Sequence, residues 1–199
     1  MKALLLKDWY LLRKRWGVLF GMVLLFSVLA GVQTTMLYTL MTTMMLLMIS
    51  LNTLAYDQHD GWDAYACALP LSRAQLVLSK YVLACICIVV SVILVLVSTL
   101  LFGGSNLLAS ASAQLAFGFF FVACNFPLII RFGFEKSRVY YLVVAGVLIG
   151  LGSVFSQYTQ PSFSAFKLSY LLPLVGLLAL LGSLKLSISF MKNKDFSET

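Results

Sequence analysis

Read along its length, the chain is a succession of long apolar runs separated by short polar breaks. Six runs stand out, at about Trp16 to Thr35, Met36 to Ala55, Val77 to Phe102, Leu107 to Ile130, Val139 to Gln157 and Leu168 to Phe190. A hydrocarbon core of about 30 Å takes about 20 apolar residues to cross as a helix, and each run is of that order. The runs are apolar on every side. Strands of a membrane barrel would instead alternate apolar and polar positions over about 10 residues. The pattern therefore predicts an all-α integral membrane fold with six transmembrane helices, forming a single transmembrane domain over 1–199 with no room for a folded soluble one.

The polar breaks carry the local signals. Met1 to Arg15 places Leu5, Trp9, Leu12 and Trp16 at spacings of one helical face, with Lys7, Asp8, Lys14 and Arg15 on another. This predicts an amphipathic helix over 1–15, retained rather than cleaved. It would lie in the membrane interface with its basic side toward lipid phosphate, a straight extension of the first span being the alternative.

The longest break, Tyr56 to about Leu76, holds the chain's one His, His59, and three of its seven acids, Asp57, Asp60 and Asp63. Asp60 before Gly61 and Trp62 offers an acceptor to the orphan amides of a short helix, and Asp63 suits the positive end of its dipole. That helix stops before Pro70. Ser72 and Gln75 then match the S-x-x-Q capping box, starting a second helix that runs through Arg73 and Lys80 into the third span. Trp62 and Tyr65 read as exposed rings, either anchoring a partner or resting on the membrane surface. After the fourth run, Pro127 removes a backbone donor and is expected to kink the helix. Gly133 permits the tight turn that leads into Arg131, Glu135, Lys136 and Arg138, a second polar loop.

Composition confirms the class and charge sets the topology. Hydrophobic residues make up 61% and charged residues 11%, against about 45 to 50% apolar residues for soluble domains. If the N-terminus is cytoplasmic, all 14 Lys and Arg but Lys167 face inward, and so do all seven acids. The positive-inside rule predicts that arrangement, with both termini cytoplasmic. The net charge of +7 then reads as a topology signal with affinity for anionic lipid, not as nucleic-acid binding, which would need a basic and aromatic domain.

Inside the spans the chemistry is sparse. Thr39, Thr43 and Ser50 share a face of the second span, and Gly146, Gly150 and Ser153 a face of the fifth. Either set lines a translocation path or packs helices, small residues at i and i+4 being commonly packing surfaces. Met36, Met41, Met44, Met45 and Met48 fill a core or form an adaptable surface. No carboxylate, Lys, Arg or His falls mid-span, so an ion or proton pathway is not indicated. Cys85, Cys87 and Cys124 lie in spans and Cys67 in the loop, none at C-x-x-C spacing, and His59 has no partner at metal-ligand spacing.

At this point the residues carry a resemblance. The N-terminal MKALLLKDWYLLRK, the block YDQHDGWDAYACALPLSRAQLVLSKY and FPLIIRFGFEKSR, in this order and spacing, resemble three landmarks of the small six-span ABC-2 type permeases of bacterial ABC transporters. The likeness covers essentially the whole chain. Two positions depart from it: Gln58 stands where a second acid is usual, and Ser137 where Gly is common.

The resemblance implies a membrane subunit of the bacterial cell membrane that pairs with a second permease copy or a relative. It also implies two separate ABC ATP-binding subunits, which bind ATP and magnesium. The chain itself has no G-x-x-x-x-G-K-[ST] phosphate loop. The short helix over about Asp60 to Leu69 would be the coupling helix that docks in the ATPase, with Asp57, Asp60, Trp62, Asp63, Tyr65, Leu69, Pro70, Ser72 and Arg73 as the coupling residues of the 56–76 loop. The N-terminal helix would be the elbow helix. The implied activity is export of amphipathic peptide, antimicrobial or lipid-like cargo. Two rivals come from other classes. An intramembrane enzyme would need convergent catalytic groups in the spans, which the sequence lacks; an ATP-independent six-helix channel or immunity-type membrane protein is the alternative.

Overall fold

The computed structural model describes residues 7–8, 10, 16–33, 36–62, 65–66, 72–102, 107–158 and 163–192. Among the described residues six long helices follow one another: α1 (Trp16–Gln33), α2 (Met36–His59), α3 (Arg73–Phe102), α4 (Leu107–Phe132), α5 (Phe134–Tyr158) and α6 (Phe163–Lys192). Each arises over one of the apolar runs, because a backbone in hydrocarbon must satisfy its own amides and carbonyls. By length and composition, four helices among the described residues can cross a membrane: α2 over Leu37–His59, α3 over Arg73–Phe102, α4 over Ser110–Phe132 and α6 over Leu171–Met191. Among the described residues, α1 and α5 carry shorter apolar stretches, Phe20–Ala30 and Leu142–Leu151.

The helix ends differ from the breaks read in the sequence. α2 does not stop at Ala55 but continues through Tyr56, Asp57 and Gln58 to His59, since nothing in that stretch breaks a helix before Gly61, at φ 64°. α3 begins at Arg73, four residues ahead of the apolar run, as the capping box requires. α4 is helical through Pro127 and ends at Gly133, whose φ of 81° is the left-handed conformation glycine adopts freely.

The bundle is apolar outside and mixed inside. Leu25, Val28, Ile93, Val97, Leu100, Val143, Val147, Leu174 and Leu178 are exposed, whereas Thr42, Thr43, Ser50, Thr53, Ser91 and Gln114 are buried. A chain dissolved in water would reverse this; a chain dissolved in lipid need not. Most of the buried hydroxyls return a hydrogen bond to their own helix: Thr42 Oγ1 donates to the Tyr38 carbonyl, Thr53 to Ser50 and Ser91 to Ile88.

α2 and α4 form the centre, with large apolar side chains exposed only toward their ends at Leu37, Leu108 and Phe132 among the described residues. α3 and α6 each bury one stripe and expose the other. On α6 the buried stripe is Gly176, Leu180, Ser183, Ser187 and Met191, a 3.6-residue period. α4 and α6 share the most extensive interface. Gly176 makes it possible, since a Cβ there would lie 3.1 Å from Phe119 Cβ. Gly118 does the same between α4 and α3, where a Cβ would lie 2.9 Å from Ile88 Cγ1.

Candidate functional site: the basic end of the bundle

The end of α2, the start of α3, the ends of α4 and α6 and the N-terminal segment meet at one end of the bundle. Four charges are packed together there. Lys80 of α3 lies at the centre, its Nζ donating to Asp8 Oδ1 and to Asp57 Oδ2 at 2.7 Å each. Lys7 donates to the other oxygen of Asp57. Asp8 and Asp57 are only 1% and 3% exposed, so the cluster is neutral in sum and largely removed from water. It ties three parts of the chain together, the N-terminal segment, the last turn of α2 and the second turn of α3.

A cavity of about 30 Å³ adjoins the cluster, bordered by Lys7, Asp8, Asp57, Gln58, Trp62 and Lys80 among others. It has room for about one water, which would need two or more polar partners. Asp8 Oδ2 is buried and lacks a partner among the described residues. Burial pushes the Asp8 carboxyl above its ordinary 3.8, a rise that Lys80 partly offsets. A raised acid supports the folded state fully below that ordinary value and loses this contribution as pH climbs through the raised one. On the account of Asp8 alone, mild acid does not destabilise the fold.

Lys7 and Asp8 depart from the expectation for the N-terminal segment. Its charged side was expected to face lipid phosphate; instead these two residues face the bundle, because Asp57 and Lys80 offer them fixed partners. Tyr10 is exposed. The remaining residues of 1–15 lie outside the described residues, and with them most of the expected elbow helix.

Beyond α2 the chain turns at Asp60 and Gly61. The Asp60 amide bonds to the Tyr56 carbonyl at 2.9 Å, and the Tyr65 amide to the Gly61 carbonyl at 3.3 Å. The start of the next helical turn therefore falls on Gly61, one residue later than the sequence suggested, while the Asp60 carboxylate lies 3.1 Å from His59 Nδ1 at the surface. Trp62, expected to be exposed, is half-buried against the core, with Lys7 Nζ 4.0 Å from its ring centroid. Tyr65 is 60% exposed, its ring 5.4 Å from that of Trp62. Asp63, Leu69 and Pro70 lie outside the described residues.

The capping box expected at Ser72 is present in both directions. The Gln75 amide donates to Ser72 Oγ at 3.2 Å and the Ser72 amide to Gln75 Oε1 at 3.1 Å. Arg73 does not point outward but donates through Nη1 to the Met191 carbonyl at 3.1 Å, placing a cation on the last turn of α6, where the helix dipole favours one. Tyr81 adds a second tie to α6, its hydroxyl lying 2.8 Å from the Oγ of both Ser183 and Ser187. Gln58 links α2 to α4 by donating to the Ile129 carbonyl at 3.1 Å, an acceptor that the Gly133 amide shares.

Arg131 is exposed and stacks its guanidinium 5.2 Å from the rings of Phe132 and Phe190. Glu135, Lys136 and Arg138 belong to the first turns of α5, with side chains outside the described ones.

The small polar residues of the spans are brought to two different places. Thr39, Thr43 and Ser50 are buried between helices, and Thr43 Oγ1 bonds its own helix at the Thr39 carbonyl. Gly146 and Gly150 are exposed on α5, while the side chain of Ser153 lies outside the described ones. Met44, Met45 and Met48 pack against the core.

Sequence reading named Asp57 but missed its partners Lys7 and Lys80, and Asp8, which shares Lys80 with it. The available signal was placement, since Lys80 sits within an otherwise apolar register and a charge so placed needs a counter-charge.

No curated protein and no solved structure is similar enough to this chain to match it. The family profile described as ABC-2 family transporter protein matches residues 3–192, which takes in the N-terminal charges, the Trp62 turn, the capping box and all six helices. The chain belongs to the ABC-2 family of transporter proteins.

Proposed function

We propose that the chain is the six-span permease of an ABC exporter, with the basic end cytoplasmic and serving as the docking face for separate ATP-binding subunits. The observation that carries this reading is the Trp62–Tyr65 pair. Trp62 is held from behind by Lys7 and the core, and this fixed base presents the exposed Tyr65 ring. A rigid aromatic with little entropy to lose is what an interface anchor requires. Asp60, Asp63, Leu69, Pro70 and Ser72 would frame the contact, and Arg131, Glu135, Lys136 and Arg138 would form its second element. Two permeases, identical or related, would share two ATPases.

An amphipathic peptide, antimicrobial or lipid-like cargo suits what the spans offer. No carboxylate, Lys, Arg or His occurs from Tyr81 to Ile130. A groove of about 390 Å³ between α3 and α6 is lined by Leu78, Val82, Ile86, Val90, Leu180 and Leu184 among others.

The test is co-purification with a co-expressed ABC ATP-binding subunit. Tyr65→Ala, alone and with Trp62→Ala, is expected to abolish pairing while the permease still inserts. Pairing retained by both variants would overturn the docking assignment, whereas a wild-type chain that pairs with no ATPase would favour an ATP-independent membrane protein. Hydrolysis by the intact complex is expected to respond to amphipathic peptides or lipids.

A further inference from the structure

We infer that Lys7 is a positioning residue that couples the Trp62 turn to α2 and α3, so that the N-terminal segment serves as a strut in the transmission of movement. The inference rests on the docking role proposed for that turn. The covalent route from Trp62 back to α2 passes through Gly61, at φ 64° with nothing within 4 Å of where a Cβ would be. Glycine restricts its own backbone least of all residues, so this joint by itself is a compliant link. Lys7 supplies a second connection that does not pass through it. Its ammonium sits 4.0 Å from the Trp62 ring centroid and at the same time on Asp57, whose other oxygen is held by Lys80 at 2.7 Å. Displacement of the ring is thereby handed to the last turn of α2 and the second turn of α3 through contacts of fixed geometry.

The division of labour within the cluster follows from exposure. The Lys80 side chain is 9% exposed and joins both carboxylates, as a keystone does. The Lys7 side chain is 23% exposed, at the rim and against Trp62, and can follow that ring while its charge stays paired.

The experiment uses the full chain in complex with its ATPase and compares Lys7→Met with Lys7→Arg. Two quantities are read: ATPase retained on co-purification, and the permease-dependent change in hydrolysis relative to the free ATPase subunit. Lys7→Met keeps the stem over the ring and loses the charge. It is expected to retain the ATPase yet shrink the permease-dependent change by roughly fivefold or more, the low end of coupling between separate sites. Lys7→Arg, which keeps both the charge and the stacking, is expected to restore it.

A Lys7→Met complex that hydrolyses like the wild type would overturn the inference, as would loss of the ATPase from that complex, which would make Lys7 merely structural. A wild-type chain that retains no ATPase at all would instead overturn the docking assignment. Should Lys7→Met accumulate poorly, Trp62→Phe leaves the ion cluster whole and weakens the cation–π contact, for which Trp is the best ring. It is expected to lower the same change in hydrolysis, and an unchanged value counts against the strut.

Discussion

The two halves of this bundle are held by different physics. At the basic end the helices are joined by directional contacts: the four-charge cluster, Gln58 on the Ile129 carbonyl, Arg73 on the Met191 carbonyl, and Tyr81 between Ser183 and Ser187. Farther along, adhesion rests on shape. Gly118 admits Ile88 and Gly176 admits Phe119, with Gln114 Nε2 on the Thr39 carbonyl at 3.2 Å as the polar link between α4 and α2. In hydrocarbon, apolar side chains gain nothing from leaving lipid for one another, so packing has to come from close fit. Where water is near, charges can be used, but each must be matched because an unpaired buried charge is costly. The half held by fit can slide by small amounts; the half held by charge is either made or broken.

Lys80→Met should break that contrast most severely. It leaves Asp8 and Asp57 buried without their shared ammonium, and removing one member of a buried pair costs about 3–5 kcal/mol. Thermal unfolding in detergent measures it. A cost below about 1 kcal/mol, the range of exposed pairs, would mean the cluster is hydrated and the two halves are alike.

Gly176→Ala probes the other half, where the new Cβ has Phe119 Cβ to displace. Overpacking of this kind costs about 1–3 kcal/mol, read in the same melt. No change would show that α4 and α6 separate easily and that fit is loose.

Gln114→Leu sharpens the comparison at its smallest term. Gln114 Oε1 is buried without a partner among the described residues. Exchanging a half-satisfied amide for an apolar group of similar shape is nearly neutral or stabilising, so a melt within about 0.5 kcal/mol of wild type, the range of substitutions away from special features, or above it, is expected. A large loss would show that the far half also depends on directional contacts.

Local sequence made the helices and their punctuation legible. The apolar runs, the Ser72 to Gln75 capping box and the Gly133 turn are written in neighbouring residues: the box and the turn appear where those residues placed them, and a helix forms over each run, though α2 and α3 extend past the ends read from it. The ion cluster is not local. Lys7 and Asp57 are 50 positions apart, and Asp8 and Lys80 are 72 apart, and nothing in either neighbourhood names the other. That is why the charged side of the N-terminal segment read as facing lipid, and why Trp62 read as exposed when Lys7 covers it. A polar face such as Thr39, Thr43 and Ser50 is ambiguous for another reason. Helices lining a path and helices packed together ask for the same small hydroxyl residues, so the residue types alone do not choose between them.

The Arg73 contact has a consequence for the order in which the chain is built. Lys7 can meet Asp57 as soon as the second helix is made. Arg73 must wait for a carbonyl 118 positions later, at the end of the last helix. The nascent chain therefore carries that guanidinium without its Met191 acceptor until α3, α4, α5 and α6 have been made. A chain stalled before α6 would therefore present at that surface a charge that the folded bundle holds against the end of α6.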